Sequence, residues 1–264
     1  MHLIVVKKNT IMRKIALLSF LLFGIMALSF GQDTIPPKGI SPQVKKKITS
    51  AKDRLVIELA MMNAIIKKDN GITVPNDFKL GGFNRGINVY FMYDMLLGKK
   101  TKPRHFSIAP GIGVGSENYY FKNYKLTWHY DTITRFQPLG DSISAKKSKL
   151  NLTYIDIPLE FRYRSKPNKK TGMSWKLAVG FKIGFLVGSK WKYKGEDPNV
   201  GTRGENVTIK DIKVANMSRF RYGPMIRGGY GPVSIFGYYS IGSAFTTKGP
   251  KFNPIVFGIS INGL

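Results

Sequence analysis

The stretch YIDIPLEFRYRS, Tyr154 to Ser165, constrains the chain more than any other. Ile155, Ile157, Leu159, Phe161 and Tyr163 fall on one parity; Asp156, Pro158, Glu160, Arg162 and Arg164 fall on the other. Successive side chains of a β-strand point to opposite faces, so this segment presents one apolar and one charged face. A soluble sheet turns the apolar face to a core and the charged face to water. A membrane barrel reverses this, with the apolar face on lipid and the charged face in the lumen.

Seven other segments repeat the period-two pattern. They are about Arg54–Ile65, Phe83–Leu97, His105–Tyr119, Met173–Tyr193, Met217–Tyr230, Pro232–Phe245 and Phe252 to the end. The links after the second, fourth and sixth segments are short, as in KKTKPR, KPNKKTG and Gly231-Pro232. The links after the odd segments are generally longer, and the one from Tyr119 to Leu152 is the longest. An even strand count with short turns on one side and long loops on the other is the layout of an outer-membrane barrel. The expected fold is therefore all-β, an eight-stranded antiparallel up-and-down transmembrane β-barrel over residues 53–264. Several segments exceed the roughly 9 to 11 residues that cross a bilayer, so they should extend beyond it on the outer side. Trp175, Trp191, Tyr193 and Tyr230 lie near strand ends, where interfacial girdles form.

The first 31 residues fit an export signal. Lys7, Lys8, Arg13 and Lys14 precede the apolar run Ile15–Phe30, which is shorter than a spanning helix of roughly 20 residues. Ser29 and Gly31 suit cleavage after Gly31, and residues 32–52 form a proline-containing basic leader expected in the periplasm. The chain has no cysteine, so no disulfide stabilises it. A closed, fully hydrogen-bonded barrel in lipid needs none.

The formal charge is +27, and removal of the four basic residues of residues 1–31, which hold no acid, leaves +23. Export makes nucleic acid an unsuitable partner. Phosphates of outer-membrane lipid and lipopolysaccharide suit this charge, as does simple solvation of turns and loops.

On the inward parity the reading places Glu58, Asp94, Asp156 and Glu160 with Arg85, Arg162, Arg164, Lys182, Arg221 and Arg227. An eight-stranded barrel is only wide enough to be filled by side chains. Charges there must pair, because an unpaired buried charge costs several kcal/mol. The expectation is a structural ion-pair network that plugs the barrel; a small polar conduit is the alternative. Glycines Gly111, Gly113 and Gly115 of GIGVG leave room for large neighbours rather than forming a phosphate loop, since G-x-G-x-x-G and a following helix are missing.

Neither catalysis nor a cofactor or metal is expected. His105 and His129, the histidines after residue 31, have no metal-ligand spacing and no distinctive serine motif nearby. Glu196 and Asp197 in GEDPN suit an ordinary turn better than calcium. The loop FKNYKLTWHYDTITRFQPLGDSISAKKSKL suits either partner contacts or, preferably, a solvated hairpin continuing the barrel.

DRLVIELAMMNAI, FNRGINVYFMYDMLLGK, HFSIAPGIGVGSENYY, NLTYIDIPLEFRYRSKPN, KLAVGFKIGFLVGSKWKYKG and FRYGPMIRGGYG resemble, in order, the PorT-like outer-membrane β-barrel proteins of the Bacteroidota. The alternation of short turns and long loops with an even strand count puts both termini on the periplasmic side, and that resemblance implies an integral outer-membrane location. It also implies an accessory role in type IX secretion, which moves folded cargo with C-terminal signals across the outer membrane. The partners would be other secretion or envelope proteins. The alternative is a stand-alone structural or adhesion barrel of the OmpA/OmpX type.

Overall fold

The computed structural model describes residues 55–67, 74–98, 104–128, 133–140, 143, 145–197 and 206–262. The export signal, the basic leader and His129 lie outside the described residues. The strands are β1 (Leu55–Lys67), β2 (Asn84–Met92), β3 (Met95–Leu96), β4 (Phe106–Tyr120), β5 (Tyr124–Thr127), β6 (Arg135–Pro138), β7 (Ala145–Arg164), β8 (Trp175–Glu196), β9 (Asn206–Ile212), β10 (Phe220–Tyr230), β11 (Val233–Tyr239) and β12 (Lys251–Asn262).

Eight staves close into an antiparallel barrel. The order runs β10-β11-β12-β1-β2-β4-β7-β8, and β8 pairs back onto β10. β3 continues the stave of β2 along β4 after a break at Tyr93–Asp94, where the Tyr93 N–H still donates to the Pro110 carbonyl at 2.8 Å. Closure leaves the staves without a free edge, which satisfies the backbone in a medium that cannot.

The side-chain pattern decides between a soluble sheet and a membrane barrel. Ile157, Leu159, Phe181, Ile183, Phe257 and Ile259 are exposed, whereas Asp156, Glu160 and Lys182 on the other parity are almost fully buried. A soluble fold would be inside out with this arrangement; a barrel in lipid requires it.

β7 and β8, at 20 and 22 residues, rise well past the other staves. β10 reaches only Phe185 on β8, and above it the unanticipated β9 pairs with Lys190–Glu196. The register of β7 and β8 slips here: Thr153 faces Gly188 and Tyr154 faces Leu186, leaving Val187 as the extra residue of a bulge. One extra residue exchanges the two faces of everything beyond it. Trp191 and Tyr193 are therefore buried inside, not set in an interfacial girdle, while Lys190, Lys192 and Lys194 turn outward. Trp175 does occupy a girdle position, 65% exposed and 5.2 Å from the Tyr230 ring.

The long 121–150 loop also differs from the solvated continuation expected of it. β5 and β6 form their own two-stranded sheet, unpaired with the barrel. Tyr124, Leu126 and Phe136 bury their side chains in an apolar core with Tyr119, Leu150, Leu152, Trp191, Tyr193 and Phe252. The Thr134 N–H donates to the Lys248 carbonyl at 2.8 Å, and Asn216 Nδ2 donates to Thr134 Oγ1 at 3.1 Å. The loops are thus stitched into a cap at the long-loop end, because their alternating apolar residues have a core to bury against.

Candidate functional site

The barrel interior holds the chemistry. Toward the short turns, Arg227 of β10 bridges two strands: its Nη2 lies 2.8 Å from Glu58 Oε1 on β1 and 3.0 Å from Glu160 Oε1 on β7. Asn88 Nδ2 donates to the second Glu58 oxygen at 2.7 Å, and Arg162 Nε to the second Glu160 oxygen at 2.7 Å. Arg162 also stands 3.9 Å from Asp94, whose other oxygen pairs with Arg164 at 2.6 Å.

Toward the long loops, Arg221 of β10 makes a fork with Asp156, through Nε at 3.0 Å and Nη2 at 2.6 Å. Its Nη1 donates to Glu117 of β4. Two parallel charge-assisted bonds fix a guanidinium more firmly than a single contact. Lys182 Nζ lies 3.8 Å from Asp156 and donates to the Tyr90 hydroxyl at 3.2 Å, while Tyr90 donates to Asp156 at 3.1 Å. Tyr119 donates to Glu117 at 2.7 Å. The Arg221 guanidinium lies 3.9 Å over the Tyr154 ring and the Lys182 ammonium 3.9 Å over the Tyr238 ring, so aromatic faces enclose the cations where carboxylates do not.

Glycine makes this possible at two positions. A Cβ on Gly115 would stand 2.6 Å from Asn88 Oδ1 and 3.0 Å from Arg221 Nη2. A Cβ on Gly184 would meet Asp156 and lie 2.8 Å from the Arg221 Cγ. The inward glycines hold the space that the network fills.

Of the residues anticipated in the lumen, Glu58, Asp94, Asp156, Glu160, Arg162, Arg164, Lys182, Arg221 and Arg227 enter these contacts, with Arg164 nearer the rim. Arg85 does not. It shares the outward parity of Ile87 and Val89, and its guanidinium lies 5.5 Å from the exposed Phe83 ring. Glu117, fully buried, belongs instead. The exchange balances the network at five carboxylates and five cations. Glu117 carried a legible signal, two residues beyond Gly115 on the same inward parity.

The space between Arg162, Arg164 and Arg227 at the short-turn mouth is small. A cavity of about 20 Å³ is lined by Arg162, Arg164, Arg227 and Asn262, room for about one water. His105, by the rim, places Nδ1 2.7 Å from the Arg164 carbonyl. Among the described residues no three of His, Cys, Asp and Glu could hold a metal ion.

The sequence model of the outer membrane protein beta-barrel domain matches residues 60–246. The chain belongs to this family. The outer-membrane barrel is also similar to the crystal structure of Ail, the attachment invasion locus protein of Yersinia pestis, in complex with the heparin analogue sucrose octasulfate. That match has 11% identity, covers 79% of this chain and 95% of that one, and has a TM-score of 0.32. No curated protein matches the sequence.

Glu160 gives the network a mild test. Glu160→Gln keeps the shape but removes one charge facing Arg162 and Arg227. Its unfolding free energy in detergent should fall by about 1–3 kcal/mol. An unchanged urea midpoint would mean that the pairing of Glu160 contributes nothing to stability.

Proposed function

We propose that this outer-membrane barrel is a non-enzymatic accessory component of protein secretion, of the type IX kind, acting by binding partners rather than by passing solutes. The observation that carries this reading is the filled interior. With paired charges below and an apolar core above, the work falls to the surfaces: the loop cap, the outward face and the short-turn rim. The ordered likeness of six segments to PorT-like barrels supports the choice of secretion. In this reading the export signal is cleaved, both termini and the short turns face the periplasm, and the long loops face outward.

Depletion read by mass spectrometry tests it. Removing the protein should leave cargo in the periplasm with its C-terminal signal uncleaved, while other outer-membrane proteins stay at normal levels. Normal release of cargo would contradict the secretion role and make a stand-alone structural or adhesion barrel the better account.

A further inference from the structure

The bulge at Val187 has turned a row of lysines to the outside of the barrel. On neighbouring strands Lys147 stands opposite Lys194, and Lys149 opposite Lys192, which in turn faces Lys210 on β9. Arg85 lies opposite Asn118, and Asn118 opposite Asn151 on β7, one rung nearer the apolar belt. Directly opposed side chains in a sheet have Cβ atoms about 5 Å apart, and like charges so placed repel. Burial lowers the Lys149 pKa below its usual range; the Tyr120 hydroxyl opposes this, and Lys147, Lys192 and Arg85 push it further down. Along these strands the carboxylate on the same parity is Glu196, at the far end of β8 opposite Asn206. A cation ladder built in register across three strands is stabilised by an anion laid over it.

We infer that this ladder is a binding site for the phosphorylated sugar headgroup of an outer-leaflet glycolipid. Three observations specify the occupant. The ladder continues upward from the lipid-facing residues Ile155, Ile157 and Phe185 of the same strands, so whatever covers it also meets the bilayer. Its height favours a headgroup thicker than that of an ordinary phospholipid. At about 3.3 Å per residue and a tilt of roughly 45°, Lys149 stands about 14 Å above Ile155, whereas a phospholipid headgroup layer adds only about 5–8 Å to each side of the hydrocarbon. Finally, a cavity of about 240 Å³ opens beside Lys147, lined also by Lys122, Lys146 and Tyr120, and it can seat a sugar between cations. Tyr120 lies 5.7 Å from Lys147 Nζ and 5.8 Å from Lys149 Nζ, positioning both. The site is independent of any secretion role.

The test uses the full chain, purified free of lipid in neutral detergent, with binding followed by native mass spectrometry. The probes are a deep-rough lipopolysaccharide, the same molecule after phosphatase treatment, and phosphatidylglycerol. The phosphorylated glycolipid should bind, and both other probes should bind much more weakly. Lys149→Gln with Lys192→Gln should weaken it by about tenfold or more, since each lysine makes a charge-assisted bond. Lys194→Gln with Lys210→Gln, at exposed positions, should do the same should the first pair disturb folding. Lys169→Gln with Lys170→Gln, on a short turn, should change nothing. Equal binding by the ladder variants, or phosphatidylglycerol or the dephosphorylated glycolipid binding as tightly as the phosphorylated form, would overturn the site.

Discussion

Arg221→Met should lower the unfolding free energy of the barrel by about 3–5 kcal/mol, the cost of leaving buried charges without their partner. Arg221 joins Glu117 on β4 to Asp156 on β7 from its place on β10. Methionine fills similar space but leaves two buried carboxylates, on the neighbouring strands β4 and β7, without the cation they share. Lys182, 3.8 Å from Asp156, can compensate only one of them. Urea unfolding in detergent micelles, followed by tryptophan fluorescence, measures the loss. Replacing Glu117 and Asp156 by leucine and asparagine together with Arg221→Met should recover part of it, because removing a whole buried ionic group is far less costly than breaking one. A single variant as stable as the parent would mean that the network fills space without holding the staves together.

The second large effect lies beyond the charge network, in the apolar core at the long-loop end. Trp191→Ala should cost about 3–5 kcal/mol, the range for deleting a buried aromatic. The Trp191 ring packs edge-on against Trp128 at 6.0 Å and beside Tyr193 at 5.9 Å, and its Nε1 donates to Ser148 Oγ at 3.3 Å. Its loss should also loosen the loop cap, so that protease cuts in the 121–150 loop appear sooner. Trp175→Ala is the matched control. That ring is exposed on the outside, and its removal should cost less than about 1 kcal/mol. Were both tryptophans girdle residues, the two variants would behave alike.

That contrast also marks where the amino-acid sequence was legible. Period two exposed the staves, their apolar face and most of the inward charges, because a closed barrel in lipid keeps one parity on each side without exception until a bulge intervenes. Arg85 fails on the same rule: it shares its parity with Ile87 and Val89 and so points out. Glu117 was equally legible, sitting beyond three inward glycines, and completes the charge balance. Trp191 and Tyr193 were not legible. Their side is set by one extra residue, Val187, and a bulge depends on how β7 and β8 pair, which the spacing within β8 alone does not carry. The docking of β5 and β6 was hidden for a related reason. Alternation along Tyr124–Phe136 marks an apolar face but not the surface that covers it, and here the barrel's own upper core does.

A barrel filled by paired charges and an apolar core should pass no ions. Single-channel recording in planar lipid bilayers tests that most directly, on the purified protein and on Glu160→Gln. The account predicts no stepwise current from either. Stable current steps from the parent protein, altered in size or ion selectivity by Glu160→Gln, would contradict it and show that the lumen is a conduit lined by the charges assigned here to a plug.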